Sequence, residues 1–161
     1  MLWLKGKQSV QTGQTQNILA LDDDYSFGVL QSRVHELWAR RKGTQLREVE
    51  SGFQYTPTTC FETFPFPEPM EGDRASISEA ARRLDELRRN WLDPEGASEA
   101  DLKKRSLTNL YNARPTWLDN AHKKLDAAVF AAYGWSADIS DEDILKNLLA
   151  LNLERFKQEG G

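Results

Sequence analysis

The sequence is poor in the residues that most often carry out chemistry. It holds one cysteine and two histidines in 161 residues. Cys60 therefore has no internal disulfide partner, and Cys60, His35 and His122 do not form a spaced set of zinc ligands. All three read as ordinary structural residues. No apolar run reaches eighteen residues, and the N-terminus lacks a basic region leading into an apolar stretch and a small-residue cleavage site; this points to the cytoplasm. No GxG occurs, so close backbone approach to a nucleotide or to S-adenosylmethionine has no support. A GxSxG elbow and an HExxH pair are also missing. So are the Asn-or-Asp-Pro-Pro-aromatic loop that holds a flipped adenine and the clustered acid and lysine set that holds magnesium in nucleases. Catalysis by this chain alone is not expected.

The net charge of -4 argues against a wholly basic nucleic-acid coat, but the charge is uneven. Residues 1–56 carry seven Lys and Arg against six Asp and Glu, whereas residues 57–161 carry fourteen against nineteen. Between Arg33 and Arg47 five basic residues (Arg33, Arg40, Arg41, Lys42 and Arg47) face one acid, Glu36. Such a cluster can meet phosphates, and it can also be a solvated helix face.

Patterning divides the chain. MLWL reads as a short strand around Leu2 to Leu4 followed by a polar loop, and NILAL (Asn17 to Leu21) as a buried strand. Asp22, Asp23 and Asp24 then supply a helix cap; three carboxylates also suit a metal site, although capping and the helix dipole account for them. Phe27, Leu30, Val34, Leu37, Trp38 and Arg41 recur at helical spacing, which predicts one helix to about Arg41, with His35 a structural residue beside its apolar stripe. The loop TQLREVESG leads to FQYTPTTCFETFPFPEP, whose β-branched and aromatic residues predict a strand through Phe64 and whose Pro65, Pro67 and Pro69 force an extended exit. Beyond it, Ser76 and Glu79 form a capping box for a helix carrying Ile77, Ala81, Leu84, Leu87 and Trp91. Ser98 caps a helix running through Leu102 toward Tyr111, another spans Thr116 to Tyr133 and stops at Gly134, and a last one begins at Ser140 with Ile144, Leu145, Leu148, Leu149 and Leu151 on one face.

Two stretches carry a resemblance. ILALDDDYSFGVLQSRVHELWAR followed by YTPTTCFETFPFP, and later LTNLYNARPTWLDNAHKKLDAAVFAAYGW with DILKNLLALNLER, resemble the C-terminal region of MmeI-like (type IIL) restriction-modification enzymes over nearly the whole chain. In that family one polypeptide joins a nuclease, a helical connector, an N6-adenine methyltransferase using S-adenosylmethionine, a target-recognition domain and a helical C-terminal domain. The resemblance implies that residues 1–69 are the C-terminal part of the target-recognition domain and residues 70–161 the helical domain. It also implies that the loop before YTPTT and the start of that strand touch base edges in the major groove. Where family members often have Arg-Tyr-Ser, this chain has Gln54, Tyr55 and Thr56, which moves the expected base from guanine toward adenine.

The residues alone suggest a compatible division of labour. Arg40, Arg41 and Lys42 at a helix end suit phosphates, while Arg47, Glu48, Glu50, Gln54 and Thr56 suit base edges. The expected protein is α+β and predominantly helical, with a small β-sheet remnant followed by a bundle of about four helices. Its expected role is DNA recognition within a bifunctional restriction endonuclease and N6-adenine methyltransferase, non-catalytic by itself. Duplex DNA and the parent's methyltransferase and nuclease domains are its expected partners, without a membrane; S-adenosylmethionine and magnesium ion belong to the parent and no cofactor to this chain. An open strand edge at Leu2 to Leu4 would also allow a homodimer. The alternative is a stand-alone helical interaction module that docks a protein through FPFPEP and Trp3.

Overall fold

A computed structural model describes residues 23–43 and 55–159. These residues form eight helices and no strand: α1 (Asp24–Gln31), α2 (Arg33–Lys42), α3 (Pro57–Cys60), α4 (Glu71–Leu92), α5 (Glu99–Leu102), α6 (Leu107–Ala113), α7 (Thr116–Ala132) and α8 (Asp141–Glu159). The core is laid down mainly where α4 packs against α7 and α1, with α2 wedged between α1, α7, α8 and α3. On α4, Ile77, Ala80, Ala81 and Leu84 are buried at helical spacing and meet Leu118, Leu125 and Val129 of α7 and Phe27 and Val29 of α1 in one cluster. Burying each large aliphatic side chain here stabilises the fold by about 1.5–3 kcal/mol.

The expected α+β class is corrected by the absence of any strand among the described residues. YTPTT does not continue as a strand. Thr56 is extended (φ -108°, ψ 114°), but Pro57 then occupies the first turn of α3, where its fixed φ suits a helix and its missing N–H costs nothing. Thr59 and Thr63 donate their hydroxyls back to the carbonyls of Thr56 and Thr59, an option β-branched hydroxyl residues have that valine and isoleucine lack. The strands expected at Leu2 to Leu4 and Asn17 to Leu21, and the dimer edge, lie outside the described residues.

Helix boundaries also differ. The helix expected to reach Arg41 unbroken is split at Ser32, which is extended (φ -74°, ψ 158°), fully buried and donates its hydroxyl to Val29 O at 2.6 Å. Ser76 caps nothing: α4 begins at Glu71, and Ser76 donates to Gly72 O inside it. The helix expected from Ser98 toward Tyr111 is two, with Ser98 capping α5 and Ser106 capping α6. The stop of α7 at Gly134 (φ 72°) and the Ser140 cap, which accepts from Asp143 N–H, agree with expectation. On the last helix Ile144 and Leu148 are buried, whereas Leu149 is 46% exposed.

Arg114 closes α6 in the left-handed region (φ 40°, ψ 62°), donating its N–H to Leu110 O. A non-glycine residue held there loses about 1 kcal/mol relative to glycine.

The Pro-rich exit is bound into the molecule. Tyr25 Oη donates to Pro67 O (3.0 Å), Tyr133 Oη to Pro65 O (2.8 Å), Asn152 to Thr63 O (2.7 Å) and Arg155 to Phe66 O (2.7 Å). Proline supplies no N–H, so the carbonyls of this segment take side-chain donors instead of a sheet partner.

Candidate nucleic-acid interface

Helix α2 is built to be held on one side and to project on the other. Val34, His35, Trp38 and Ala39 are buried, while Arg33, Glu36, Arg40 and Arg41 are exposed. Arg40 pairs with Glu36 through Nε and Nη2 (2.9 and 2.7 Å), and the Lys42 ammonium lies 4.8 Å from the centroid of the Trp38 ring. Arg40, Arg41 and Lys42 thus form the last turn, where cations complement the helix dipole. Gly43, Tyr55 and Cys60 all contact this helix. Gly43 N–H is bonded to Ala39 O (2.7 Å), Tyr55 Oη lies 3.3 Å from His35 Nε2, and Cys60 Sγ donates to Ala39 O (3.7 Å).

Of the sequence-predicted site residues, the structure brings together Arg40, Arg41 and Lys42, with Thr56 anchored nearby at the start of α3, half-buried. The Thr56 carbonyl accepts from the N–H groups of Thr59 and Cys60. Arg47, Glu48, Glu50 and Gln54 lie outside the described residues. His35 is fully buried, and burial pushes its imidazole down to about 3, so it stays neutral at physiological pH and serves packing against Phe64 and Tyr55. Asp23 caps α1 by accepting from Ser26 N–H (2.8 Å), and Asp24 pairs with Arg82. Among the described residues no group of His, Cys, Asp and Glu is arranged to hold a metal ion.

A cleft of about 710 Å³ opens on the other side of α2. Arg33, Glu36, Leu37 and Arg40 contribute one helical face, and Tyr111, Asn112, Arg114, His122, Asp126 and Asp141 close it from α6, α7 and the start of α8. Asp126 Oδ1 accepts from the Arg33 N–H (2.8 Å) and so fills the cap that Ser32 leaves open. Burial raises the Asp126 carboxyl to about 6 against the opposing pull of Arg33. Buried Arg88 donates to Gln31 Oε1 (3.2 Å) and Tyr111 Oη (3.3 Å), and Tyr111 Oη is hydrogen-bonded to His122 Nε2 (2.7 Å). Burial first, then Arg88 and Arg114, hold His122 down at about 4, so the imidazole is neutral at physiological pH. Hydropathy does not mark this cleft because its lining comes from five helices, α1, α2, α6, α7 and α8, rather than from a local motif.

Residues 4–68 match the family model described as MmeI, target recognition domain. Over that segment the chain is similar to the MmeI target recognition domain. Two comparisons extend the likeness beyond residue 68. DNA methyltransferase A of Bacillus subtilis (strain 168) is 33% identical over 132 residues, which is 81% of this chain and 13% of that protein. The solved structure of the type IIL restriction-modification enzyme MmeI in complex with DNA superposes with a TM-score of 0.65 at 27% identity, covering 84% of this chain and 16% of that one. The chain therefore spans only about a seventh of the length of the relatives it matches.

Proposed function

We propose that this chain is a DNA-recognition fragment of a type IIL restriction-modification enzyme, non-catalytic by itself. Residues 1–69 would be the C-terminal part of the target-recognition domain and residues 70–161 the helical domain that steadies it. The observation that carries this reading is that Gly43 and Tyr55, the described residues on either side of 44–54, both contact α2, whose last turn holds three cations, in a chain similar to an enzyme solved with DNA. Duplex DNA is the proposed partner: Arg40, Arg41 and Lys42 hold phosphates and so position Arg47, Glu48, Glu50 and Gln54 to read base edges.

Methyl transfer from S-adenosylmethionine and magnesium-dependent cleavage belong, on this reading, to other domains of a longer cytoplasmic polypeptide. No described helix is long and apolar enough to cross a membrane. The rival interaction module relied on FPFPEP, whose carbonyls are taken internally, and on Trp3, which lies outside the described residues.

Electrophoretic mobility shift at low salt tests the reading. Wild type binds a duplex, and the Arg40, Arg41, Lys42 triple alanine binds it about tenfold or more weakly, with a salt slope shallower by about 0.9 for each phosphate left without its cation. Methyl transfer by the pure chain, or equal binding by the triple variant, would contradict it.

A further inference from the structure

Arg114 occupies a backbone conformation that suits glycine. It is the one non-glycine residue with positive φ among the described residues; the others are Gly96 and Gly134. A left-handed residue closing a helix is usually glycine or asparagine, and Pro115 further biases the residue before it toward extended backbone. The turn gains nothing from an arginine except an ion pair with Asp119, made through Nε and Nη2 (both 3.1 Å) with the guanidinium half-exposed. Such pairs contribute little to folding.

What the arginine does gain is position. Arg114 lines the cleft that Arg33 and Arg40 line from α2, so three arginines from two distant parts of the chain share one opening. Each holds one surface carboxylate: Asp141 for Arg33, Glu36 for Arg40 and Asp119 for Arg114. A guanidinium carries five N–H donors in a fork that matches phosphate oxygens, so one carboxylate does not exhaust it. The cleft wall also carries Glu36, Asp126 and Asp141. Those carboxylates oppose a small anion swallowed whole, whereas a polyanion laid across the mouth meets the arginine tips first.

We infer that Arg114, together with Arg33 and Arg40, contacts the sugar-phosphate backbone of duplex DNA, which runs from the basic end of α2 across the cleft to the corner between α6 and α7. The inference rests on the DNA-recognition reading and adds Arg114, which lies outside the basic cluster between Arg33 and Arg47.

The test uses Arg114→Gly, a substitution that relieves the backbone while removing the charge. Arg114→Gly melts at or above the wild-type temperature and binds a random-sequence duplex about three- to tenfold more weakly at low salt, with a salt slope shallower by about 0.9. Arg114→Asn behaves like the glycine variant, and Arg114→Lys keeps the wild-type slope. Wild-type affinity and slope in Arg114→Gly, alongside loss of binding in the Arg40, Arg41, Lys42 triple alanine, overturns this inference and leaves the recognition reading standing. A lower melting temperature for Arg114→Gly also overturns it, because the arginine is then held for the fold. Absence of DNA binding by the wild type removes the recognition reading itself.

Discussion

Gly28 shows how much a single absent side chain can decide. It lies within α1, where glycine is ordinarily about 1 kcal/mol worse than alanine. A Cβ there would stand 2.7 Å from Ile77 Cγ2 and 3.0 Å from Ala81 Cβ, so the glycine lets α1 and α4 approach closely enough to seal the core. Gly28→Ala is expected to lower stability by about 1–3 kcal/mol in urea denaturation, because the added methyl must push Ile77 aside. Gly72→Ala, on α4 with open space around it, is expected to raise stability by about 0.5–1 kcal/mol. Equal effects at the two positions would show that helix propensity, not the close approach of α1 to α4, governs both. Periodicity made Phe27, Leu30, Val34 and Trp38 legible as core; it could not mark Gly28, since hydropathy has no signal for packing made possible by a missing group.

At the scale of elements, the break between α1 and α2 is the departure that matters for the site. Apolar spacing runs unbroken across Ser32, so sequence predicts one helix. The division holds because Ser32 commits its hydroxyl to Val29 O and because Asp126, far along the chain on α7, supplies the missing cap to α2. The same carboxylate aims the helix whose far end carries Arg40, Arg41 and Lys42. Asp126→Ala should cost about 0.5–2 kcal/mol at neutral pH, the usual range for a lost N-cap, whereas Asp126→Asn, which keeps an accepting oxygen, should recover most of it. Thermal melts of the two variants check this, and equal loss in both would show that charge rather than the hydrogen bond is at stake. The short α3 makes a related point. β propensity in YTPTT was readable, but Pro57 and two threonine hydroxyls turned it into a helical turn.

Over the whole molecule, two neutral histidines and one protonatable carboxyl set the response to acid. His35 is pushed to about 3 and His122 to about 4 against an ordinary 6.5, so below 6.5 the unfolded chain takes up protons that the fold refuses. Stability therefore falls as pH drops from 6.5 toward 4. Asp126 acts in the opposite sense: raised to about 6 from an ordinary 3.8, it binds its proton more readily when folded and adds stability as pH falls through that window. Two groups oppose one, so the melting temperature should decline on acidification, and the His35→Gln, His122→Gln double variant should flatten or reverse the trend. A wild-type melting temperature that rises between pH 6.5 and 4 would refute this balance.

The sequence by itself determined the helices after Pro115 and Ser140, a cap within Asp22 to Asp24, the caps at Ser98 and Ser140, the stop at Gly134 and the basic end of α2, because these follow from spacing and local hydrogen bonding. The resemblance to MmeI-like enzymes was also readable there, in strings such as YTPTTCFETFPFP. Only the tertiary structure decided that α1 and α2 part at Ser32, that the proline segment is bound inward by Tyr25, Tyr133, Asn152 and Arg155, and that Arg33, Arg40 and Arg114 share one cleft. Each of those outcomes depends on a donor, an acceptor or a charge brought from a distant segment, and local pattern carries no information about which distant group will arrive.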